Sequence, residues 1–272
     1  MNFDKNTLEN AINKLAEGGK IFSNERQFQL ELAMQLQRMN FEVEMEVVSS
    51  DKGYEAFKTL HKEEREKLYT DIVVKQPNGK YIAIELKYKT PQKHYMYKNN
   101  NGNSITFAQG ASDLGSVLFW EDIRRIESFA DSTIRLNFDD NKIVEKGYAI
   151  LLTNEKDYWE GKKCSDSLCK EFFPVDKQTK SGDLHWYVKV DKESNKRVSG
   201  RTKKEKCNIV QVTEENADEY KDYVNKDKIV TKDVSPIKLK GSYKCVWNKY
   251  NVEIFNKEEV PEFRYLLLEV PF

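Results

Sequence analysis

Two carboxylates and a lysine that can act together lie in residues 69–89 (YTDIVVKQPNGKYIAIELKYK), a stretch that predicts a tight β-hairpin. Two runs rich in β-branched and aromatic residues flank the Pro-Asn-Gly turn at 77–79. Counting outward from that three-residue turn places Asp71 opposite Glu85, with their Cβ atoms about 5 Å apart. Because side chains alternate along a strand, Lys87 lies on the same face as these two carboxylates. One face of the hairpin is therefore expected to carry a carboxylate pair and a lysine.

The other face of this hairpin is apolar, and a carboxylate pair set among apolar neighbours needs a compensating cation. The residues of the apolar face are Ile72, Val74, Ile82, Ile84 and Leu86. Two neighbouring carboxylates repel one another and lose hydration, which costs several kcal/mol. Mg²⁺ is a suitable cation because it accepts one or two carboxylates, keeps several waters and binds phosphate oxygens, which suits phosphodiester hydrolysis. Lys87 can then hold or polarise the attacking water.

The order of Asp71, a hairpin and then Glu85-Leu86-Lys87 resembles the PD-(D/E)XK nuclease superfamily, which has the restriction-endonuclease-like fold. The resemblance covers roughly residues 20–155. It implies hydrolysis of DNA that depends on Mg²⁺ or Mn²⁺, in a host-defence or DNA-processing role. Under this resemblance Asp71, Glu85 and the main-chain carbonyl of Leu86 hold the metal ion, and Lys87 positions or activates water.

The same residues admit a structural interpretation as well. Lys87 can neutralise one carboxylate in an ion pair while the other points to solvent at the end of a strand. The protein would then be a catalytically inactive DNA-binding or protein-interaction module with the nuclease fold. Thr70 stands where the name of the superfamily has proline, and this departure favours the inactive module. The presence of Asp71, Glu85 and Lys87 together favours the enzyme.

A further carboxylate is expected near this hairpin, at the start of a helix predicted over residues 23–39. The apolar stripe of that helix is Phe28, Leu32, Leu36 and Met39. At about 100° per residue, Glu25 falls within the stripe. In the family that the chain resembles, such a glutamate faces the metal site, where it would orient Lys87 or aid a second ion. The alternative is that Glu25 favours the helix dipole from the first turn and remains hydrated.

The remaining elements around the hairpin follow from periodicity. Residues 41–48 alternate as a half-exposed strand, residues 105–129 predict a long helix, and residues 146–153 form an apolar run typical of a buried strand. The broad apolar face of the long helix is Phe107, Ala111, Leu114, Leu118, Ile126 and Phe129. The resulting order, αβββαβ, is that of the restriction-endonuclease-like core, and it follows from patterns independent of the Asp-Glu-Lys triplet.

These elements predict an α/β fold with a mixed central sheet flanked by helices. Residues 1–157 are expected to form the nuclease-like core. Residues 158–272 are expected to form a β-rich C-terminal extension that packs on the core or completes it. Its predicted strands are 185–190, 208–212 and 264–270.

Charge restricts where the chain can bind DNA. Lys and Arg together number 45, as do Asp and Glu, so no overall positive charge attracts nucleic acid. The local sources are the polar loop predicted at 89–104 and the basic run at 194–206 (SNKRVSGRTKKEK). The side chains expected to contact DNA are Lys93, Lys98, Arg201, Lys203 and Lys204. The alternative for both segments is a hydrated loop that binds nothing.

Composition and the N-terminal sequence predict a soluble cytoplasmic protein. A third of the residues are charged and 12% are aromatic, which excludes a largely disordered chain. The 4 cysteines are scattered, and the chain opens with MNFDKNTLEN, which has no apolar signal region. No membrane partner is expected. A homo-oligomer or a partner subunit is compatible with the sequence.

Overall fold

A seven-stranded sheet forms the centre of the fold in the part of the chain that the structure describes. The structure is a computed structural model and describes residues 2–51, 67–91, 95–98, 104–107, 112–130, 134–137, 142–161, 168–225, 228–231, 234–252 and 262–272. The helices are α1 (Lys5–Glu17), α2 (Glu25–Arg38), α3 (Ser112–Ala130), α4 (Asp157–Glu160) and α5 (Ala217–Tyr220). The first strands are β1 (Glu42–Asp51), β2 (Lys67–Lys75), β3 (Tyr81–Lys89), β4 (Tyr95–Lys98), β5 (Ser104–Phe107), β6 (Ile134–Leu136), β7 (Val144–Thr153) and β8 (Thr179–Leu184). The later strands are β9 (Tyr187–Asp191), β10 (Arg197–Val198), β11 (Cys207–Gln211), β12 (Asp222–Asn225), β13 (Lys228–Thr231), β14 (Ile237–Lys244), β15 (Trp247–Lys249) and β16 (Arg264–Pro271).

The central sheet is mixed, with strand order β15-β16-β7-β3-β2-β1-β6. Strands β1, β2 and β3 form an antiparallel meander, and β7 runs parallel to β3 after α3. The last strand, β16, pairs antiparallel with β7 and so adds the C-terminal end of the chain to the same sheet. The predicted α/β fold with a mixed central sheet is thus confirmed at this level.

The β2–β3 hairpin has the predicted register. Ile72 pairs with Ile84, and the backbone N–H of Gln76 donates to the carbonyl of Lys80 at 2.7 Å. Gly79, the third turn residue, has a φ of 81°, a left-handed conformation that glycine adopts at little cost. The turn chemistry and the alternation of apolar residues were therefore enough to predict which residues lie opposite one another.

One face of the sheet packs against α1 and α2. The hairpin residues predicted for this face are buried there: Ile72, Val74, Ile82, Ile84 and Leu86. Both helices begin at a side-chain cap, since Asp4 accepts a hydrogen bond from the backbone N–H of Thr7 and Asn24 from that of Gln27. The cap at Asn24 fixes the start of α2 and with it the place of Glu25.

The other face of the sheet packs against α3. Trp120 and Ile123 of α3 are fully buried in one cluster with Leu151 of β7. A Cβ atom added at Gly147 of β7 would collide with the side chain of Ile126. Glycine at that position therefore lets α3 approach the sheet closely, which sets the depth of every side chain that α3 places against β3.

The C-terminal part of the chain packs on the far side of α3. It contains a five-stranded sheet, order β11-β9-β10-β12-β13, and the pair β14-β8. Trp120 donates from Nε1 to the carbonyl of Phe172 at 2.6 Å, and apolar residues of β9, β14 and β16 join the α3 cluster. The strands predicted at 185–190 and 208–212 correspond to β9 and β11. Among the described helices, none has the length and apolar character to cross a membrane.

The segment before α3 differs from the prediction. The sequence predicted a loop at 89–104 and the start of a helix at Ile105, but the structure has the antiparallel pair β4 and β5 there. Ile105, Thr106 and Phe107 are β-branched or aromatic, so the strand preference prevails in β5. The predicted helix face was right in part: Ile126 and Phe129 are buried, but Leu114 is exposed, and Val117 and Trp120, which were not predicted, are buried as well.

Candidate functional site

Asp71 and Glu85 lie where β2 and β3 separate. The paired residues of the hairpin extend to Ile72 and Ile84, after which β2 continues beside β1 and β3 beside β7. Oδ2 of Asp71 accepts a hydrogen bond from the backbone N–H of Leu86 at 2.7 Å. The carboxylate thus satisfies a main-chain donor of β3 at the point of separation, and it is half-buried between the two strands.

Glu85 is bound by an arginine from α3. Its side chain is 0% exposed, and Nε of Arg125 donates to Oε1 at 3.1 Å while Nη2 contacts Oε2. The same Nη2 lies 3.0 Å from Oδ1 of Asp122. The sequence predicted a metal ion as the compensating cation, and in this structure that cation is a guanidinium.

Lys87 is held by three oxygen atoms. Its Nζ lies 2.6 Å from Oδ2 of Asp122 and 3.8 Å from Oε1 of Glu25, and it donates to the carbonyl of Leu86 at 3.1 Å. Burial alone lowers the pKa of Lys87, but Asp122, Glu25 and Asp71 together raise it above its usual value. Lys87 is therefore a fixed cation with oriented donors.

Glu25 reaches the site from the first turn of α2. Its Oε2 accepts a hydrogen bond from the backbone N–H of Tyr88 at 2.9 Å, and its side chain is 36% exposed. Of the two interpretations given to Glu25, this contact agrees with a residue that faces the hairpin and orients Lys87. An effect on a metal ion stays a prediction.

Gln29, one turn further along α2, connects the helix to β1 and β2. Its Nε2 donates to the main-chain carbonyl of Asp71 at 2.7 Å and to Oε1 of Glu46 at 3.0 Å. Glu46 is exposed on β1 and has a φ of 50°, which is uncommon for a residue other than glycine. Gln29 was not among the predicted site residues, although a glutamine within a buried stripe is a signal that a polar partner is nearby.

Asp122 and Arg125 were also missed. They lie between Trp120, Ile123 and Ile126 in α3, and all five residues are buried. The signal was present in the sequence, because charged residues within an apolar helical stripe need partners of opposite charge. It was hidden because α3 is buried over a wider arc than the predicted apolar face covers.

The cluster carries an excess of negative charge. The carboxylates are those of Glu25, Asp71, Glu85 and Asp122, and the two cations bonded among them are Lys87 and Arg125. Fully ionised, these six groups leave two negative charges in excess. Lys89, which interacts with Glu25 and Asp122 at longer range, reduces the excess to one.

The two hairpin carboxyls are weaker acids than usual, chiefly because they are buried. Burial, opposed in part by Lys87, raises the pKa of Asp71 to about 6. Burial also raises the pKa of Glu85 well above its usual value, although Arg125 opposes the rise. Burial thus makes both carboxyls weaker acids than usual, and a further cation at the site would oppose that effect.

The donor atoms suit a hard divalent cation, but their present contacts do not leave them open to it. Asp71, Glu85 and the Leu86 carbonyl supply the oxygen ligands that Mg²⁺ prefers. Both oxygens of Glu85 contact Arg125, and the Leu86 carbonyl accepts from Lys87. Within the described ranges, no group of three or more His, Cys, Asp or Glu side chains is arranged to hold a metal ion. The residues fit the metal in chemistry and charge, provided that Arg125 moves.

Lys89 is a half-buried lysine on the same strand, two residues beyond Lys87. Burial lowers its pKa. A Cβ at Gly115, in the first turn of α3, would lie 2.8 Å from Cε of Lys89, so the lysine stem runs along the start of that helix. Among the described residues, Lys89 forms no ion pair within 4 Å, which makes it the lysine of the site that is available to an anion.

The basic residues predicted to contact DNA are only partly described. Lys93 lies outside the described residues, and Lys98 lies in β4 rather than in a loop. The side chains of Arg201, Lys203 and Lys204 are exposed, in the turn between β10 and β11.

That basic run is anchored at its base. Nη1 of Arg197 donates to the carbonyl of Tyr220 at 2.7 Å, and Nζ of Lys189 donates to the carbonyls of Gly200 and Thr202. The exposed basic side chains are therefore presented on a fixed backbone rather than on a free loop.

Comparison of the chain with protein-family models, with curated proteins and with solved structures found no match. The geometry of the site is therefore the basis for a proposal about function.

Proposed function

We propose that this protein is a deoxyribonuclease of the PD-(D/E)XK type that depends on Mg²⁺ or Mn²⁺. The observation that carries the proposal is the position of Asp71 opposite Glu85 at the separation of β2 and β3, with Lys87 on the same face of β3. The surrounding topology supports it: α2, the β1–β2–β3 meander, α3 and β7 parallel to β3 follow the αβββαβ order of the restriction-endonuclease-like fold.

Asp71, Glu85 and the carbonyl of Leu86 would hold the metal ion. A bound Mg²⁺ would supply charge stabilisation for the attacking and leaving oxygens of the phosphodiester. The excess of negative charge at the cluster supports this assignment, since a divalent cation removes it. The two carboxylates repel phosphate until that charge is compensated, so metal and DNA are expected to bind with positive coupling.

Lys87 would orient the attacking water as a cation. A general base must be able to accept a proton at the working pH, and the surrounding carboxylates keep the Lys87 ammonium charged. Asp122, at 2.6 Å, and Glu25, on the other side, fix the direction of its N–H bonds. Asp122 and Glu25 therefore act as positioning residues for Lys87.

The DNA would be held by basic residues at the edges of the site. Lys89 is closest to the carboxylates, and Lys93 and Lys98 follow it along the chain. Arg201, Lys203 and Lys204 form the second basic source, in the turn between β10 and β11. A second copy of the chain or a partner subunit would add further charge.

The test is cleavage of plasmid DNA by the full chain with Mg²⁺, Mn²⁺ or EDTA. We expect nicking or linearisation only with metal, and its loss in Glu85→Gln. Glu44→Gln, which alters an exposed carboxylate of β1, is the matched control and should cleave like the wild type. Parallel reactions with RNA of the same sequence show whether the substrate is DNA or RNA. If neither substrate is cleaved in a metal-dependent reaction, the proposal that the protein is a nuclease is overturned.

A second candidate is an inactive module that keeps the nuclease fold and binds DNA or protein. The contact of both Glu85 oxygens with Arg125 favours it, because the buried carboxylate is then neutralised without metal. A metal titration separates the two candidates. The module predicts no change in melting temperature with Mg²⁺ or Mn²⁺, whereas the nuclease predicts a rise that follows metal concentration.

A further inference from the structure

We propose that Arg125 occupies the cation position of the carboxylate site and that a divalent metal binds by displacing its guanidinium from Glu85. This inference rests on the proposed metal-dependent function and adds the residue that sets the affinity of the site for metal.

The contacts of Glu85 show why exchange is needed. Its side chain is 0% exposed, and its two oxygens contact Nε and Nη2 of Arg125. Mg²⁺ coordinates oxygen at about 2.0 to 2.1 Å. A metal at that distance from Glu85 would take the lone pairs that Arg125 uses and would bring a divalent charge against the guanidinium. Metal and Arg125 therefore compete for the same carboxylate.

The structure also provides a second partner for the displaced guanidinium. Nη2 of Arg125 already lies 3.0 Å from Oδ1 of Asp122, three residues earlier in α3. Removing a buried charge from one partner is costly when the charge is left uncompensated. Because Asp122 stays beside Arg125 on the same helix, release from Glu85 leaves an ion pair in place. Asp122 also holds Lys87 through Oδ2, so the shift leaves Lys87 directed at the site.

The charges favour the exchange when metal is present. Six charged groups at the site leave two negative charges in excess, or one if Lys89 is included. When a divalent ion binds Glu85, the Arg125 guanidinium stays in the cluster on Asp122. The two added positive charges therefore bring the cluster close to neutrality. Without metal, Arg125 keeps Glu85 from being buried alone.

Competition of this kind lowers the apparent affinity for metal by the fraction of molecules in which Glu85 is free. Removing the competitor should therefore tighten metal binding. Titration of the full chain with Mn²⁺ alone, followed by calorimetry, measures this directly. We expect Arg125→Gln to lower the Kd for Mn²⁺ on the order of tenfold or more. Arg26→Gln, which removes an exposed arginine next to Glu25, controls for the loss of one positive charge and should change the Kd much less.

A second measurement does not depend on the folding of a variant. In the wild type, the Nε–H resonance of Arg125, assigned through its side-chain correlations to the Arg125 backbone, reports the bond to Glu85. Saturating Mg²⁺ should move this resonance and increase its exchange with solvent. An Nε–H resonance that is unchanged at saturating Mg²⁺ contradicts displacement whatever the variant does.

The outcomes separate this inference from the proposed function. If the wild type binds Mn²⁺ and Arg125→Gln binds it no more tightly than Arg26→Gln does, Arg125 is not a competitor and the metal site stands. If only Arg125→Gln binds, Arg125 blocks the site but metal does not displace it from Glu85, so the displacement is overturned and the wild type is the inactive module. If neither binds, both the metal site and the exchange are overturned.

Discussion

Helix α3 contributes to two regions in which a buried carboxylate is satisfied in different ways. Glu127, on α3 itself, is 3% exposed, and Glu85, which packs against α3, is 1% exposed. Oε1 of Glu127 accepts from the backbone N–H of Gly241 at 2.7 Å and from the hydroxyl of Tyr243 at 2.6 Å, and Oε2 accepts from the backbone N–H of Lys240 at 3.0 Å. Glu85 is instead held by the charged side chain of Arg125, which donates a hydrogen bond to Oε1 and forms an ion pair with Oε2.

The difference indicates what each region is for. The donors to Glu127 are neutral groups of β14, two of them backbone N–H groups. These hydrogen bonds cannot break unless that strand moves away, so Glu127 connects α3 to the C-terminal part of the fold. The contacts of Glu85 and Lys87 are made by cationic side chains and by carboxylates that repel one another. Such an arrangement adds little to stability, and it can change its partners when metal or substrate binds.

The largest expected effect tests the region around Glu85. If the proposed function is right, Asp71→Asn should reduce metal-dependent DNA cleavage on the order of a thousandfold, because it removes a proposed metal ligand and with it the charge stabilisation that the metal would supply. Its melting temperature without metal should be equal to or higher than that of the wild type, since half of a repelling pair is gone. Cleavage assays and thermal unfolding with and without Mg²⁺ measure both. A clear drop in the metal-free melting temperature, with an unchanged response to metal, is the result that a structural ion pair predicts.

The opposite pattern is expected in the region around Glu127. Glu127→Ala leaves the donors at Lys240, Gly241 and Tyr243 without their acceptor, and it should lower the free energy of unfolding by about 3 kcal/mol. The rise in melting temperature with Mg²⁺ should keep its wild-type size, because no proposed metal ligand is touched. Urea unfolding at several Mg²⁺ concentrations is the measurement. If Mg²⁺ no longer raised the melting temperature of Glu127→Ala, the Glu127 region would not be separate from the proposed metal site.

The sequence predicted the site residues that β2 and β3 contribute, and it missed those that α3 contributes. Asp71, Glu85 and Lys87 were correctly placed on one face because the alternation of Ile72 to Leu86 and the turn at 77–79 determine the hairpin register locally. Glu25 was found by the same kind of periodicity. These are short-range patterns, and the fold had only to preserve them.

Asp122 and Arg125 could not be placed because the rotation of α3 on the sheet is not a local property. It depends on the absence of a side chain at Gly147, on the bond from Trp120 to the carbonyl of Phe172, and on residues of β14 that are distant in the sequence. The β4–β5 hairpin also shifted the start of the helix.

A smaller effect concerns pH and the metal-free protein. Burial raises the pKa of Asp71 from its ordinary value of 3.8 to about 6, so between these two values the folded state binds more protons than the unfolded state. Stability should therefore fall as pH rises from about 4 to 6, by no more than about 3 kcal/mol. Asp71→Asn should flatten this dependence. Urea unfolding from about pH 4 to about pH 8 in EDTA measures it. A wild-type profile over this range that matches the Asp71→Asn profile contradicts the burial of an uncompensated carboxylate.

The smallest expected effect concerns the binding of DNA. DNA needs positive charge from elsewhere on the protein, because both carboxylate regions are centred on acidic groups. If the turn between β10 and β11 holds DNA phosphates, replacing Arg201, Lys203 and Lys204 by Ala should weaken binding to all sequences alike. The plot of log K against log salt concentration should become flatter by roughly 3, about one unit for each phosphate that the variant no longer neutralises. Fluorescence anisotropy with Ca²⁺ in place of Mg²⁺, over a series of salt concentrations, gives both quantities.

The control for that triple variant replaces three exposed lysines on other surfaces, Lys5, Lys14 and Lys244, by Ala. It has the same net charge, so any general effect of charge on DNA binding appears in both variants. A phosphate-binding turn requires the turn variant to bind DNA more weakly, and with a flatter salt dependence, than the control does. Equal slopes in the two variants would mean that the basic run is a hydrated turn, and Lys89, Lys93 and Lys98 would then remain the candidates for binding the phosphates.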